Sequence, residues 1–447
     1  MLTLTPSQQK AVELFDDFLK DDNAALFALL GYAGTGKSFL SGIFANKIRT
    51  QLRGQPWMWC APTWKAVGVC SRFLTANGSE HQKGYNAKDP AHKTSDLILT
   101  STASGVGLVP DMTESELVFK PSGKGCIDSL RPKFVVIDEI SMLEFAHLRR
   151  ILHAVKAVGG KLLIVGDPGQ LLPVEGKAIP WDKIANKVYL AEVMRQKDGS
   201  AIPVAAEAVR KGNPWRGYAS DRDLIEVDDA GDAFLAGLNS APDPIELNRD
   251  VFIGYTNRNV NGIQTRACQQ VYGHGADVFD NGYLVIAQNH LMGHYDRRIV
   301  SNQDALIVQR NYGAGEYGTI YGFKNLANDE LLSAEFLETD EQKAEFQAQL
   351  KALKARAMRL EDEKDAAKAD GESYGAIDKE RRAAWRKYHE LSKSTVLQIA
   401  HPFAITSHRS QGSTYRDVFV DATELERFTS RSLYVALTRA SRAVHFS

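Results

Sequence analysis

The stretch GYAGTGKS, Gly31 to Ser38, constrains what this 447-residue chain can fold into more than any other. It follows the apolar run Ala24-Ala25-Leu26-Phe27-Ala28-Leu29-Leu30, and no proline follows it until Pro56. Gly31, four residues, then Gly36-Lys37-Ser38 is the spacing of a phosphate-binding loop. Small residues, here including Gly34 and Thr35, let successive backbone N–H groups face phosphate oxygens, and a following helix adds its positive end. Lys37 would reach the β- and γ-phosphates, and Ser38 would offer its hydroxyl to Mg²⁺. The segment 39–50 carries apolar residues at 39, 40, 43, 44 and 48, a helical recurrence. A chance glycine-rich turn is the alternative, but a buried strand before the loop and a helix after it are the setting that a parallel α/β sheet supplies.

Composition narrows the class. The length admits two or three domains with real cores. Hydrophobic residues make up 44% and charged residues 24%, near globular averages, so the chain reads as a folded protein. It has no run of about 18 apolar residues to cross a bilayer. The start MLTLTPSQQK lacks the pattern of a secretion signal, so a cytoplasmic location is the expectation. Cys60, Cys70, Cys126 and Cys268 form no CxxC pair and read as free thiols. With 54 Lys and Arg against 55 Asp and Glu the net charge is −1, so a polyanionic partner must be met by a local groove.

The expected fold class is α/β, with two parallel-sheet domains. Residues 1–84 and 126–200 form the first, interrupted at 85–125 by a hairpin insertion whose β-like pieces are 96–100 and 116–120. Residues 201–282 and 395–447 form the second, beginning near Val251 and resuming at 395–403 and 418–421. The interruption at 283–394 reads as a small β module over 283–325 followed by a helical hairpin. In that hairpin Phe346, Leu350, Leu353, Ala357 and Leu360 make one apolar stripe, and Ile377, Ala384, Tyr388 and Leu391 make another after the Asp370-Gly371 break. A solvated charged arm is the alternative.

Two strands, 134–137 and 161–165, each end in acid. Val135-Val136-Ile137-Asp138-Glu139 presents paired carboxylates, of which one can hold Mg²⁺ while its neighbour takes a proton from the attacking water. Gly166-Asp167-Pro168-Gly169-Gln170 ends the next strand and places the Gln170 amide where it could sense a γ-phosphate, although a plain polar turn would look the same.

The ordered segments LTPSQ (4–8), GYAGTGKS (31–38), APTWKA (61–66), VVIDEISM (135–142), GDPGQLLPV (166–174), EVMRQ (192–196), YTNRNVN (255–261), ITSHRSQGST (405–414) and YVALTRA (434–440) together resemble a superfamily 1 DNA helicase. The resemblance is closest to the phage Dda type and its RecD-like, 5′–3′ relatives. It covers both motor cores, and the insertion at 283–393 matches only in position and character. It implies two RecA-like domains sharing one ATP and Mg²⁺. Gln8 reads the adenine edge, with Gln9 the rival register, and Asp138 holds the metal. Glu139 is the general base and Gln170 the γ-phosphate coupler. Arg195 and Arg439 would act as arginine fingers from either side of the cleft. Strand contacts map to Pro62, Thr63, Trp64 and Lys65 on one core and to Asn257, Ser407 and His408 on the other. Trp64 departs from the smaller or imidazole side chain of relatives, and His92-Lys93-Thr94-Ser95 replaces their Thr-Ile-His pattern. Phe119 falls where a separation pin would stack an aromatic against the fork, with packing beneath a strand as its rival.

The implied function is an ATP-dependent helicase moving 5′ to 3′ on single-stranded DNA and opening fork DNA in phage replication or recombination. A single-strand binding protein or other replication and recombination factors are its expected protein partners, and no membrane is involved. A translocase that strips bound proteins, a regulatory ATP-binding loader and an RNA substrate are the alternatives.

Overall fold

The computed structural model describes residues 4–62, 64–76, 78–83, 96–112, 117–121, 126–173, 177–192, 199–238, 249–292 and 298–447. Two compact units divide them. One comprises residues 1–236, 249–260 and 405–447, and the other residues 237–248 and 261–404.

The first unit holds two parallel sheets. Its larger sheet has seven strands, in the spatial order Gln82–Lys83, Leu97–Ser101, Trp57–Ala61, Phe134–Ile137, Lys161–Gly166, Leu26–Gly31 and Lys187–Leu190. Adjacent strands run parallel throughout. The central strands are unbroken apolar runs because helices cover both faces, and alternating polar positions would have nowhere to go. On one face Phe15, Phe27, Phe44 and Phe134 pack with Trp57 and Trp59, and Phe15 stacks on Phe44 at 3.9 Å. On the other, Met58, Val135, Ile137, Leu162 and Ile164 meet Leu148, Ile151 and Val155 of the helix Phe145–Ala157.

The second sheet has five strands, ordered Leu224–Glu226, Ala440–Phe446, Tyr415–Val420, Val251–Gly254 and Ala404–Thr406. Its core joins Val251, Ile253, Val418, Val420 and Val444 to the helices Ala201–Lys211 and Ser430–Leu437. The α/β class with two RecA-like sheets is therefore the architecture of the chain.

Two strand assignments differ from the sequence reading. The piece at 96–100 was expected to be one arm of the insertion hairpin. Instead Leu97–Ser101 is a buried strand of the large sheet, parallel to Trp57–Ala61. The hairpin consists of Leu108–Met112 and Leu117–Pro121, antiparallel with Pro110 opposite Phe119. A strand buried on both faces cannot also be an arm of an outlying ribbon, and burial decides the case. Likewise 395–403 does not resume the second motor sheet. Ile399–Ala400 pairs antiparallel with Leu284–Ala287 in the inserted module, and the motor sheet resumes with Ala404–Thr406.

In the second unit an antiparallel sheet runs Leu331–Phe336, Thr319–Asn325, Ala305–Ala314, Leu284–Ala287 and Ile399–Ala400. The helices Asp340–Ala369 and Gly375–Ser394 follow the strands, with Gly371 in the left-handed region at the break. Thr339 opens the first helix with a capping box, its side chain accepting from the Gln342 N–H. This unit takes in residues 237–248 and 261–404, where the sequence reading places the insertion at 283–394.

Candidate functional site

The site grows from the end of the strand Leu26–Gly31. Gly34 and Gly36 have φ of 81° and 85°, the left-handed region that costs glycine nothing. Gly36 also sits too close to a neighbour to carry a side chain, since a Cβ there would stand 2.5 Å from Gln8 Nε2. Gly36 caps the helix Lys37–Leu52 without a side-chain hydrogen bond. The first amides of that helix thus face the loop with no residue built over them, the arrangement that receives phosphate.

Gln8 is buried against this loop, and its Nε2 donates to Thr35 O at 3.3 Å. Its Oε1 accepts from Thr5 N at 3.1 Å in a capping box that starts the helix Pro6–Lys20. Gln9, the next residue of that helix, is exposed. Thr35 Oγ1 donates to Tyr32 O at 2.8 Å. Lys37 Nζ donates to Gly31 O and Tyr32 O, both at 2.8 Å, so the loop's own carbonyls hold the ammonium at its mouth. Ser38 lies exposed at the start of the helix.

The carboxylate pair stands beside that ammonium. Asp138 is pushed up to about 6, first by burial and then by the charge of Glu139, with the nearby Lys37 pulling it down. Asp138 Oδ1 accepts from Glu139 N at 2.9 Å, and Oδ2 receives the Cys70 thiol at 3.6 Å. Burial, then the Asp138 charge, lifts the Cys70 thiol well above its ordinary range, so it stays a neutral donor. Glu139 adopts φ 47°, and its Oε2 is buried without a hydrogen-bond partner. A strained backbone that aims an unsatisfied carboxylate beside a phosphate loop suits a group reserved for cation or water. These residues fit a nucleoside triphosphate with a divalent cation: Ser38 and Asp138 would hold the metal, and Lys37 with the loop amides the phosphates.

The Gln170 turn closes another side. Asp167 is fully buried, its Oδ1 accepting from Gly169 N at 2.8 Å and its Oδ2 from the Tyr434 hydroxyl at 2.6 Å. Burial makes its carboxyl a weaker acid than usual, against the Lys37 charge and the Tyr434 bond. Tyr434 OH also accepts from Ala33 N, in the phosphate loop, at 3.3 Å. Arg431 donates to Pro168 O at 2.9 Å and Gln170 O at 2.5 Å. Arg210 lies over the Tyr32 ring at 4.1 Å, a cation–π contact on the loop. Tyr434, Arg431, Arg210 and Cys70 escaped the sequence reading. Only Tyr434 fell within a motif read from the sequence, as the first residue of YVALTRA, and there it was given no role.

Arg439 is buried, and each nitrogen of its guanidinium makes one hydrogen bond. Nε donates to Val435 O at 3.1 Å, one terminal nitrogen to Ser413 O at 3.2 Å and the other to Thr438 Oγ1 at 3.1 Å. In this conformation it points into its own sheet's segments. Thr63 and Arg195 lie outside the described residues, as do the side chains of Trp64, Lys65 and Phe119.

Among the strand-contact residues, Asn257 opens a helix just after the clamp that Glu424 makes on the preceding turn. Glu424 accepts from Tyr255 N at 2.8 Å, Thr256 N at 3.3 Å, Thr256 Oγ1 at 2.6 Å and Asn259 Nδ2 at 3.0 Å. His408 packs edge-on to Tyr255 at 5.7 Å, and Tyr255 stacks on Phe428 at 4.2 Å. Burial lowers the basicity of His408. Ser407 Oγ and both amide atoms of Gln411 are buried without partners. Pro62 follows the strand Trp57–Ala61 directly, on the carboxyl edge of the large sheet.

Known proteins share this plan. Residues 3–230 match the family described as AAA domain, and residues 401–447 match the UvrD-like helicase C-terminal domain. The fold is similar to that of the Pif1 helicase from Bacteroides in complex with ADP-AlF3 and ssDNA, at 16% identity and TM-score 0.54 over 100% of this chain and 93% of that one. It is also similar to the Pif1 helicase from Candida albicans, at 16% identity and TM-score 0.51 over 100% of this chain and 94% of that one. A structure of two coordinating Pif1 helicases at forked dsDNA shares 16% identity, with TM-score 0.53 over 100% and 92% of the two chains. An uncharacterized protein of Acanthamoeba polyphaga mimivirus is 24% identical over 193 residues, 42% of this chain, and the match spans 38% of that relative's length.

Proposed function

Because the chain belongs to the AAA-domain family, as a superfamily 1 helicase of Pif1/RecD-like fold, we propose that it is an ATP- and Mg²⁺-dependent DNA helicase of the Dda type. It moves 5′ to 3′ on single-stranded DNA and opens forks in phage replication or recombination. The observation that carries this reading is a single compact unit with two RecA-like sheets. One sheet bears the phosphate loop beside Asp138 and Glu139, and the other bears Asn257, Ser407 and His408.

Each residue then has a task. Lys37 and the amides from Gly34 to Ser38 bind the phosphates, and Gln8 faces the adenine edge. Ser38 and Asp138 hold Mg²⁺, which when bound neutralises charge on the phosphates. Glu139 takes the proton of the attacking water, Gln170 aligns it, and Arg195 and Arg439 stabilise charge as the sheets close. Pro62, Thr63, Trp64 and Lys65 track the strand from the first sheet, with bases stacking on Trp64 and His408 whatever their sequence. The hairpin Leu108–Met112/Leu117–Pro121 is the pin and Phe119 its wedge.

The test is unwinding of duplexes bearing either a 5′ or a 3′ single-stranded tail, with and without ATP. The expected result is separation of the 5′-tailed substrate only, and only with ATP. Strand-stimulated hydrolysis without separation of either substrate would replace this reading by a protein-stripping translocase.

A further inference from the structure

One eight-residue helix reaches the nucleotide site from the second sheet. Ser430–Leu437 belongs to the core of that sheet, where Tyr434 is buried with Leu433, Val435 and Leu437. A phenylalanine would serve that packing equally well. The hydroxyl instead makes two specific bonds outside the core, donating to the buried Asp167 and accepting from Ala33 N in the phosphate loop. Arg431 lies three residues earlier, on the same helix face. It grips the carbonyls of Pro168 and Gln170, the two ends of the turn that carries the γ-phosphate coupler. Leu171, the next residue, is buried in the core of the second sheet. The same helix runs out at Leu437, two residues before Arg439.

We propose that Tyr434 and Arg431 are positioning residues through which the second RecA-like sheet reads the state of the phosphate loop. The phenol commits one loop amide and the Asp167 carboxylate to the second sheet, and the guanidinium fixes the Gln170 turn to the same helix. Phosphate entering the loop competes for the orientation of that amide and for the Lys37 charge that Asp167 also feels. The helix must therefore shift with it, and Arg439, the segment 405–414 and the DNA contacts shift in turn. This inference rests on the helicase reading. It adds to it the physical link between hydrolysis and strand affinity, a coupling free energy between two sites.

Tyr434→Phe and Arg431→Gln test it in the full-length protein. Affinity for an oligothymidine is measured without nucleotide and with ADP–aluminium fluoride, alongside strand-stimulated ATP turnover and thermal melting. In the wild type the nucleotide is expected to change strand affinity about tenfold, a typical coupling. In either variant that change should shrink to about twofold or less, and stimulated turnover should fall about tenfold. Nucleotide-free strand affinity should stay near wild type, while melting falls only modestly in Tyr434→Phe, which leaves an Asp167 oxygen without its donor. Variants whose nucleotide-dependent change and turnover match wild type overturn the proposal. Parallel loss of melting temperature and nucleotide-free strand affinity in both variants also overturns it, since that is the mark of a merely structural role. A wild type that binds nucleotide but shows no strand-dependent turnover overturns the helicase reading, and this coupling with it.

Discussion

Two carboxylate sites, one on each RecA-like sheet, have been treated in opposite ways. Asp138 is half-buried, its carboxyl desolvated beside another carboxylate with one backbone N–H and one thiol as donors, and it is pushed up to about 6. Glu424 is half-buried, yet hydrogen bonds from the Thr256 hydroxyl, the Tyr255 N–H and the Asn259 amide outweigh its desolvation and hold it below the usual carboxylate range. A carboxylate starved of donors is costly to keep ionised until a cation arrives. One saturated with donors is already at rest and serves to fix its surroundings, here the turn ahead of Asn257. The supply of donors around a buried charge thus separates a site that waits for a ligand from one that holds a scaffold.

The contrast can be broken most severely at Glu139. Its Oε2 has no protein partner to lose, so Glu139→Gln should keep nucleotide affinity while turnover falls about 10²-fold or more, the scale of a general base. Near-normal steady-state hydrolysis would remove it from that role. Lys37→Ala should abolish both binding and turnover.

A buried base extends the comparison to the second unit. His401 has Nδ1 unpartnered and Nε2 on Val278 O at 3.1 Å. Burial first, with help from His274 and against the Val278 bond and Asp277, lowers it to about 4. Its folded value lies below the unfolded one, so the fold keeps it neutral. That stability is complete above the unfolded value and is lost as pH falls towards the folded one. Lowering the pH from 7 to 5 should cost about 2 kcal/mol through this group, and chemical denaturation of His401→Phe should show a flatter pH profile over that range.

The sharpest form of the contrast is one of sign. Asp138→Asn removes a charge the fold does not solvate and should raise the nucleotide-free melting temperature, worth about 1–2 kcal/mol. Glu424→Gln, a closely similar change, replaces one acceptor oxygen by a donor that faces the Thr256 N–H or, in the other amide orientation, the Tyr255 N–H and the Asn259 amide, and should lower stability by about 2 kcal/mol. Scanning calorimetry of the two variants side by side would break the argument if both moved in the same direction. The smallest effect belongs to Asp16, whose carboxylate pairs with Lys47 at 2.7 Å in partial solvent. Asp16→Asn should change stability by about 0.5 kcal/mol, since exposed pairs are worth little.

How much of this could be read from the chain follows the range of the interactions. The phosphate loop was legible because its chemistry is local: glycine at fixed spacing, lysine and serine at the helix start. The Asp138-Glu139 pair was legible at the end of an apolar strand. Leu97–Ser101 was misplaced because its partner, Trp57–Ala61, lies in another part of the sequence, and a short run of Leu, Ile and Thr carries no record of whether it pairs parallel or antiparallel. Ile399–Ala400 was misplaced for the same reason. Tyr434 was invisible as a site residue because Asp167 is 267 positions away. Arg439 was visible as a residue, but its present engagement with Val435, Ser413 and Thr438 is a matter of conformation, on which the sequence is silent.

The side chain of Gln264 has a consequence of a different kind. Its amide nitrogen donates to His401 O at 2.5 Å, and its oxygen accepts from Ala404 N at 3.0 Å. One carboxamide thus staples the beginning of the inserted unit to its end, close to where the chain enters and leaves it. Everything between can lengthen, shorten or be exchanged while the two ends remain stitched at the same span. The insertion is therefore a cassette: grafting a foreign module between Tyr272, where the helix of Gln264 ends, and His401, with Gln264, His401 and Ala404 kept, should leave both motor sheets able to fold.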